Sequence, residues 1–408
     1  MTSQSLILVL AENFPPRHGG SGRWLWELFR RLPADRSVIA AGIMPGAEAF
    51  DSTHDLNVSR IQYADPSKGI VHPKGFRGYW RNFRQLSQLA IGVGATTVHA
   101  GCVLPEGFLA YMMSLKLDLP YLVYVHGEEV EGASLGHELN WMVRRVFRRA
   151  ACLVANTQNT RNILIRDWNV PEHQVTVVHP GVDTEQFQPA PRNAKVRNNL
   201  EWGERPVILT VGRLAKRKGL DVMLRAMPAI CQSIPNVLYA IVGDGEERDR
   251  LMQIVQEENL QDHVRFHGAV DDHTIRNCYQ QCDLFVLPNR RVGTDIEGFG
   301  MVLLEAQACG QPVLAGASGG TAEAIDPGYT GLTIDCRSSD QLAKPVIELL
   351  QNTKQREQMG RAGREWTVVN FDWAALAKHA DRVFSGIEPL CKRGSGKRFD
   401  ANDSGLTP

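Results

Sequence analysis

The stretch Val207-Ile-Leu-Thr-Val-Gly-Arg-Leu-Ala-Lys-Arg-Lys-Gly-Leu220 decides the fold. Val207–Val211 has the length and β-branched content of a buried strand, and Gly212 breaks it. Arg213, Lys216, Arg217 and Lys218 then place four cations in six residues, and Gly219 opens Leu220–Ile230, which has helical spacing. Strand, glycine turn and helix in that order make a βα unit. In an open parallel sheet the carboxyl ends of the strands face the crevice where ligands bind. Arg213 can fork onto a phosphate and Lys218 can stand beside it as a point charge. A solvated charged surface is the plainer alternative, and position at a strand end argues against it.

The same rhythm runs outward on both sides. Towards the C-terminus, strands are expected at Val237–Val242, Val264–His267, Leu284–Leu287, Pro312–Ala315 and Gly331–Ile334. Helices fit between them at Glu246–Glu258, Asp272–Gln281 and Val302–Cys309. Towards the N-terminus, strand-length runs occur at Ser5–Leu10, Val38–Ile43, Thr96–Ala100, Tyr121–Val125, Cys152–Ala155 and Gln174–Val178. Residues 185–206 are polar, carry prolines and show no period, so they read as a connector. Two α/β domains with parallel sheets follow, 1–185 and 186–370. The pattern from Ser339 to Phe384 is helical. Residues 391–408 offer little to bury and are expected to form a disordered tail.

Three sequence clusters bear on chemistry. His18-Gly19-Gly20-Ser21-Gly22 lies between the first strand and a helix, where backbone N–H groups can approach an anion. It does not complete G-x-G-x-x-G, which counts against a dinucleotide oxidoreductase. The cationic loop is the second. The third is Glu297-Gly298-Phe299-Gly300-Met301, which runs into a helix carrying Glu305. Eight helical residues would set the two acids about 12 Å apart, beyond the roughly 5–9.5 Å of a glycosidase pair. They suit separate acceptors for sugar hydroxyls, with the N–H groups of Phe299, Gly300 and Met301 open to oxygen ligands.

Composition narrows the class. Across 408 residues, 45 Lys and Arg balance 45 Asp and Glu, so a dedicated nucleic-acid binder is not expected. Hydrophobic residues make up 43% and charged residues 22%, which excludes a disordered chain. Eight scattered cysteines form no C-x-x-C pair and read as free thiols. The apolar run Leu6–Ala11 lacks a basic lead and reads as a strand rather than a signal peptide. No Asp-x-Asp occurs, so no metal and no other cofactor is expected.

These motifs together resemble the retaining glycosyltransferases of family 4, which share the two-Rossmann GT-B fold. The likeness runs over roughly residues 5–388. It is carried by Gly19-Gly20, His126-Gly127-Glu128, Pro180-Gly-Val-Asp183, Gly212-Arg213-Leu214 with Lys218-Gly219, Gly243-Asp244-Gly245, and Glu297 with Glu305 ahead of Ala308-Cys-Gly-Gln-Pro-Val313. The resemblance implies two sheets facing a cleft, an acceptor-binding first domain, and a nucleotide-sugar-binding second domain. A terminal helix (371–390) should cross back to the first domain. It implies that Arg213 and Lys218 grip the donor diphosphate, that Glu305 accepts from ribose hydroxyls, and that Glu297 holds the donor sugar. The Phe299, Gly300 and Met301 amides and Gly19-Gly20 should assist, and His126 should face the sugar.

The reaction implied is retaining and metal-independent, with no established enzyme nucleophile. The loop is most like those of phosphatidylinositol-mannosyltransferase members, which favours GDP-mannose and a glycan or lipid-linked acceptor. A UDP-sugar donor and a non-catalytic nucleotide-sugar-binding subunit are the alternatives. Residues Glu128, Glu129 and Glu131 make a more acidic loop than the pattern requires. Phe76, Tyr79, Trp80 and Phe83 would share one helix face beside Arg77, Arg81 and Arg84. That face, with the lipid-linked acceptor, points to a cytoplasmic protein docking peripherally on an anionic membrane.

Overall fold

The computed structural model describes residues 6–17, 19–64, 69–132 and 136–392. Val207–Val211 is a strand with every residue buried, as expected for a parallel sheet covered on both faces. Among the described residues, two parallel sheets form. The first contains β1 (Ile7–Ala11), β2 (Ser37–Gly42), β3 (Asn57–Ile61), β4 (Thr97–Ala100), β5 (Tyr121–Val125), β6 (Cys152–Ala155) and β7 (Val175–Val177), in the order β3-β2-β1-β4-β5-β6-β7. The second contains β8 (Val207–Val211), β9 (Leu238–Val242), β10 (Val264–Gly268), β11 (Leu284–Leu287), β12 (Val313–Gly316) and β13 (Gly331–Ile334), in the order β10-β9-β8-β11-β12-β13.

Strand order reverses between β1 and β4 in the first sheet and between β8 and β11 in the second. Such reversals open a crevice at the carboxyl ends, because the two neighbouring crossover helices lie on opposite faces. Gly19 to Gly22 follow β1, and the cationic loop follows β8. Glycine is needed where these loops pass other backbone. A Cβ on Gly22 would lie 2.5 Å from the Asn13 carbonyl oxygen, and one on Gly219 would lie 1.9 Å from that of Pro288. Gly219 also has φ of +71°.

The chain divides into two compact units, with the break between His179 and Pro180 and a return at Ala374. The break falls six residues ahead of the expected one at 185/186. The return coincides with the helix Trp373–Lys392. Phe384 on that helix stacks on Phe29 at 6.1 Å and meets His99 edge-on at 4.7 Å, and Asp381 pairs with Arg36. The tail expected at 391–408 lies outside the described residues from 393 onward, and Cys391 and Lys392 end the helix.

Residues 185–206 are no slack connector. They hold a short helix, Ala194–Asn199, and bury Phe187, Arg197, Leu200 and Trp202. The Arg197 guanidinium is satisfied by carbonyls, donating to Gly203 at 2.7 Å, to Arg205 at 2.5 Å and to Gln281. Carbonyl partners leave no trace in side-chain spacing, which is why the segment reads as a linker. Strand β3 also lies outside the expected set. It is a partly exposed edge strand carrying Arg60, which forks onto Asp51 at 2.6 and 2.9 Å.

Candidate active site

In the second unit, the turn after β8 carries Lys218 into the protein, where it is buried. The loop is pinned by Gly212 N–H donating to Val242 O at 2.9 Å and Leu214 N–H donating to Asp244 O at 3.0 Å. Lys218 Nζ lies 2.7 Å from Glu297 Oε2, and Arg217 reaches the same oxygen at 3.0 Å. Arg217 Nε holds Asp295 at 3.0 Å. Burial pushes the Glu297 carboxyl up, but the charges of Lys218 and Arg217 outweigh it and hold it below the usual range. The turn is braced from β11. Arg290 forks onto Asp221 at 2.7 and 2.8 Å, and its backbone N–H donates to the Arg217 carbonyl at 2.8 Å.

Helix Met301–Ala308 starts at Gly300, whose φ is +86° and which has no side chain to cap the first turn. Its helical part covers only half of the path from Glu297 to Glu305, so the two acids lie in separate surroundings. Glu305 is buried and accepts the Tyr279 hydroxyl at 2.7 Å. The ring of Phe299 is core, 5.8 Å from Phe371. Arg213 stands apart from this cluster, exposed and paired with Glu246 at 3.0 Å.

In the first unit, His126 follows β5. Its Nε2–H donates to the Gly101 carbonyl at 2.7 Å, and its ring meets Trp24 edge-on at 5.3 Å. Burial holds the imidazole below its usual pKa, so it is neutral at pH 7. The acidic loop behind it now has an account. Glu129 turns back to accept the N–H of His126 at 3.1 Å and that of Val103 at 3.4 Å, while Glu128 is exposed. Gly19 precedes helix Gly20–Phe29 as its N-cap, and His18 lies outside the described residues.

Residues 192–366 match the model for glycosyl transferases group 1, and residues 18–186 match that for glycosyltransferase family 4. A Mycobacterium tuberculosis protein named GDP-mannose-dependent alpha-(1-6)-phosphatidylinositol monomannoside mannosyltransferase is 32% identical over 381 residues, covering 91% of this chain and 96% of its own. Its Mycolicibacterium smegmatis namesake is 28% identical over 93% of this chain and 98% of its own. The crystal structure of Anabaena Alr3699/HepE in complex with UDP superposes with a TM-score of 0.79 at 21% identity, covering 93% of this chain and all of that one.

The chain is a family 4 glycosyltransferase.

For a glycosyltransferase of this GT-B fold, the motif residues sort cleanly. Lys218 and Glu297, 79 positions apart in sequence, are in contact. Glu305 and the Gly300 cap frame the start of the neighbouring helix. Three functional side chains escaped the sequence. Arg217 shares Glu297, Tyr279 holds Glu305, and Arg290 with Asp221 supports the Lys218 turn. Arg217 was one cation among four, with no pattern to single it out.

The aromatic face expected on helix Pro73–Val93 is split in two. Tyr79 and Phe83 are buried, because they face the adjoining helix Phe108–Leu117 and the sheet. Phe76 and Trp80 stay exposed at 56% and 48%, stacked at 6.4 Å among Arg77, Arg81 and Arg84. Trp141 on helix His137–Arg149 is also exposed, with the Arg145 guanidinium 5.3 Å over its ring. No described helix is long and apolar enough to cross a membrane.

Proposed function

We propose that this glycosyltransferase moves mannose from GDP-mannose to a hydroxyl of a phosphatidylinositol mannoside or a similar lipid-linked glycan, with retention at the anomeric carbon. The buried Lys218–Glu297–Arg217 cluster at the β8/β11 reversal carries the reading, and the sugar and acceptor follow the Mycobacterium tuberculosis relative. The donor diphosphate sits against Lys218, with Arg213 leaving Glu246 to join it. An exposed ion pair of that kind is worth only about 0–1 kcal/mol, so the exchange costs little. Glu297 takes the sugar hydroxyls, Glu305 the ribose, and the amides of Phe299, Gly300 and Met301 the neighbouring oxygens. His126, a neutral imidazole with its Nε2 proton on Gly101, addresses the sugar from the first unit, as do Gly19 and Gly20 through their backbone.

The C1–O bond breaks towards the diphosphate, which keeps the bonding pair. The acceptor oxygen bonds C1 on the same face, and its proton passes to the departing phosphate oxygen. Cations at the diphosphate offset the charge that develops there. Glu297 orients and does not attack, since two cations already hold the same carboxylate oxygen. The same cations do a divalent metal's electrostatic work, so the reaction runs without one and needs no cofactor. The exposed Phe76, Trp80, Arg77, Arg81 and Arg84 support peripheral docking at the cytoplasmic face of the plasma membrane, where a lipid-linked acceptor lies.

A panel of GDP- and UDP-sugars, run in EDTA with phosphatidylinositol monomannoside in detergent micelles, tests the whole reading. GDP-mannose should give transfer and slow hydrolysis. Preference for a UDP-sugar would overturn the donor. Loss of activity in EDTA restored by magnesium or manganese would overturn the metal-free chemistry.

A further inference from the structure

The first unit has its own cavity of about 250 Å³ at the β1/β4 reversal, lined among others by Glu12, Asn13, Ser21, Gly101, Cys102 and Glu106. At roughly 30 Å³ per water this is the space of about eight waters, enough for one sugar-sized ring. Its polar wall is built almost wholly of acceptors. Glu106 is buried; Oε1 accepts the Glu12 N–H at 2.8 Å and Oε2 accepts the Cys102 thiol at 2.6 Å. Each oxygen keeps a second lone-pair direction. Asn13 donates from Nδ2 to Ser21 Oγ at 2.7 Å, and its Oδ1 is buried with no hydrogen-bond partner. Such an orphaned acceptor costs about 1–3 kcal/mol, so a donor from outside the chain has something to gain there. Leu25 and Ala11 supply an apolar side. Arg17, the cation of the lining, is exposed at the rim, 3.9 Å from Glu12.

We propose that this pocket seats an uncharged, hydroxyl-rich ring, with Glu106 and Asn13 accepting its hydroxyl protons and Leu25 facing its C–H side. An anionic group is disfavoured, since Glu12 and Glu106 would both repel it. A purely apolar group would leave Asn13 Oδ1 unpaired. This rests on the glycosyltransferase reading, in which the ring is the terminal sugar of the acceptor. The pocket then selects acceptors by ring hydroxyls, and Glu106 and Asn13 are specificity-determining residues. The carboxyl of Glu106 is pushed up to about 7 by burial, the response of an acid whose hydrogen bonds come from a thiol and a backbone N–H.

The test uses the full chain with Glu106→Gln and Asn13→Ala. Three readouts are taken: KM for phosphatidylinositol monomannoside, Kd for GDP, and slow GDP-mannose hydrolysis. Saturation-transfer NMR with methyl α-D-mannoside adds a probe that needs no turnover. Each variant should raise the acceptor KM at least fivefold and abolish the mannoside signal, with GDP binding and hydrolysis within twofold of wild type. An acceptor KM and mannoside signal unchanged in both variants would overturn the pocket. So would a parallel loss of GDP binding. If Glu106→Gln melts early, Asn13→Ala, which removes no backbone anchor, decides alone. Wild type that binds methyl α-D-mannoside but neither hydrolyses nor transfers would sink the glycosyltransferase reading and leave the pocket standing.

Discussion

The two strand-order reversals of this chain share a topology and treat buried acid in opposite ways. At β8/β11, Glu297 is buried against two cations, and its pKa is held down. At β1/β4, Glu106 and Glu129 are buried against backbone N–H groups and a thiol, and among the described residues neither carries an ion pair. Burial pushes their carboxyls up to about 7 and about 8. One edge is therefore poised to exchange a carboxylate for another anion, and the other to accept protons from neutral hydroxyls. The sheet supplies the place, and the partners chosen for the carboxylates set the ligand chemistry.

The largest effect should come from taking a cation out of the second edge. Lys218→Ala is expected to cut transfer by about 10²–10³, the usual consequence of losing one group that stabilises a departing charge. Calorimetry should show GDP weakened far more than guanosine. Equal weakening of both would break the contrast, because Lys218 would then not be reading the diphosphate.

Glu297→Gln separates binding from transfer. The carboxylate competes with the donor for Lys218 and Arg217, so GDP should bind several-fold more tightly to the variant while transfer falls about 100-fold. A weaker GDP complex would mean that Glu297 positions the cations instead of occupying them.

Stability against pH tests the two edges together. Glu106 rises from 4.5 to about 7 on folding, so its contribution is complete below pH 4.5 and is lost as pH climbs towards 7. A shift of that size is worth roughly 3 kcal/mol at 1.4 kcal/mol per unit. The groups that act on this carboxyl are Cys102 and Glu12, and it acts in turn on Tyr63 and Tyr79. Urea unfolding at pH 5 and pH 8 should show the first unit weaker at pH 8, with Glu106→Gln flattening the slope. Glu297 runs the other way: its contribution is present above the ordinary carboxylate range and is lost as acid is added. A first unit indifferent to pH between 5 and 8 would remove the distinction.

The smallest effect concerns the outer surface of the first unit. Each exposed cation near an anionic bilayer is worth about 1 kcal/mol. The triple change of Arg77, Arg81 and Arg84 to Ser should therefore weaken liposome co-sedimentation at low salt and make it insensitive to salt. Wild type that stays in the supernatant with anionic liposomes at low salt would overturn membrane docking.

How much of this could be read from sequence depended on how local the physics was. β8, β11, β13 and helix Asp272–Gln281 fall on the expected residues, because apolar runs closed by Gly, Pro or Asp leave one assignment. Strand β3 was invisible because an edge strand needs no apolar run, and Arg60 spends its charge on Asp51 and two carbonyls. Lys218 and Glu297 were legible only through a family motif; nothing in spacing joins residues so far apart. Glu106 could not be seen at all. It sits between Pro105 and Gly107 with no neighbouring cation, and only the closing of β1 against β4 buries it.

The return of the chain at Ala374 bears on how the protein is made. The second unit closes on itself where it is entered and left: Val182 N–H donates to Phe371 O at 2.9 Å, Trp373 N–H to Val182 O at 3.2 Å, and Thr184 bonds Asp372 at 2.6 Å. It is an insertion with its own clasp, able to finish folding as soon as Trp373 has left the ribosome. The first unit has no such luck. Its strands are synthesised first, yet Phe29 and His99 wait for Phe384, so the half of the protein that is translated earliest is the last to be completed.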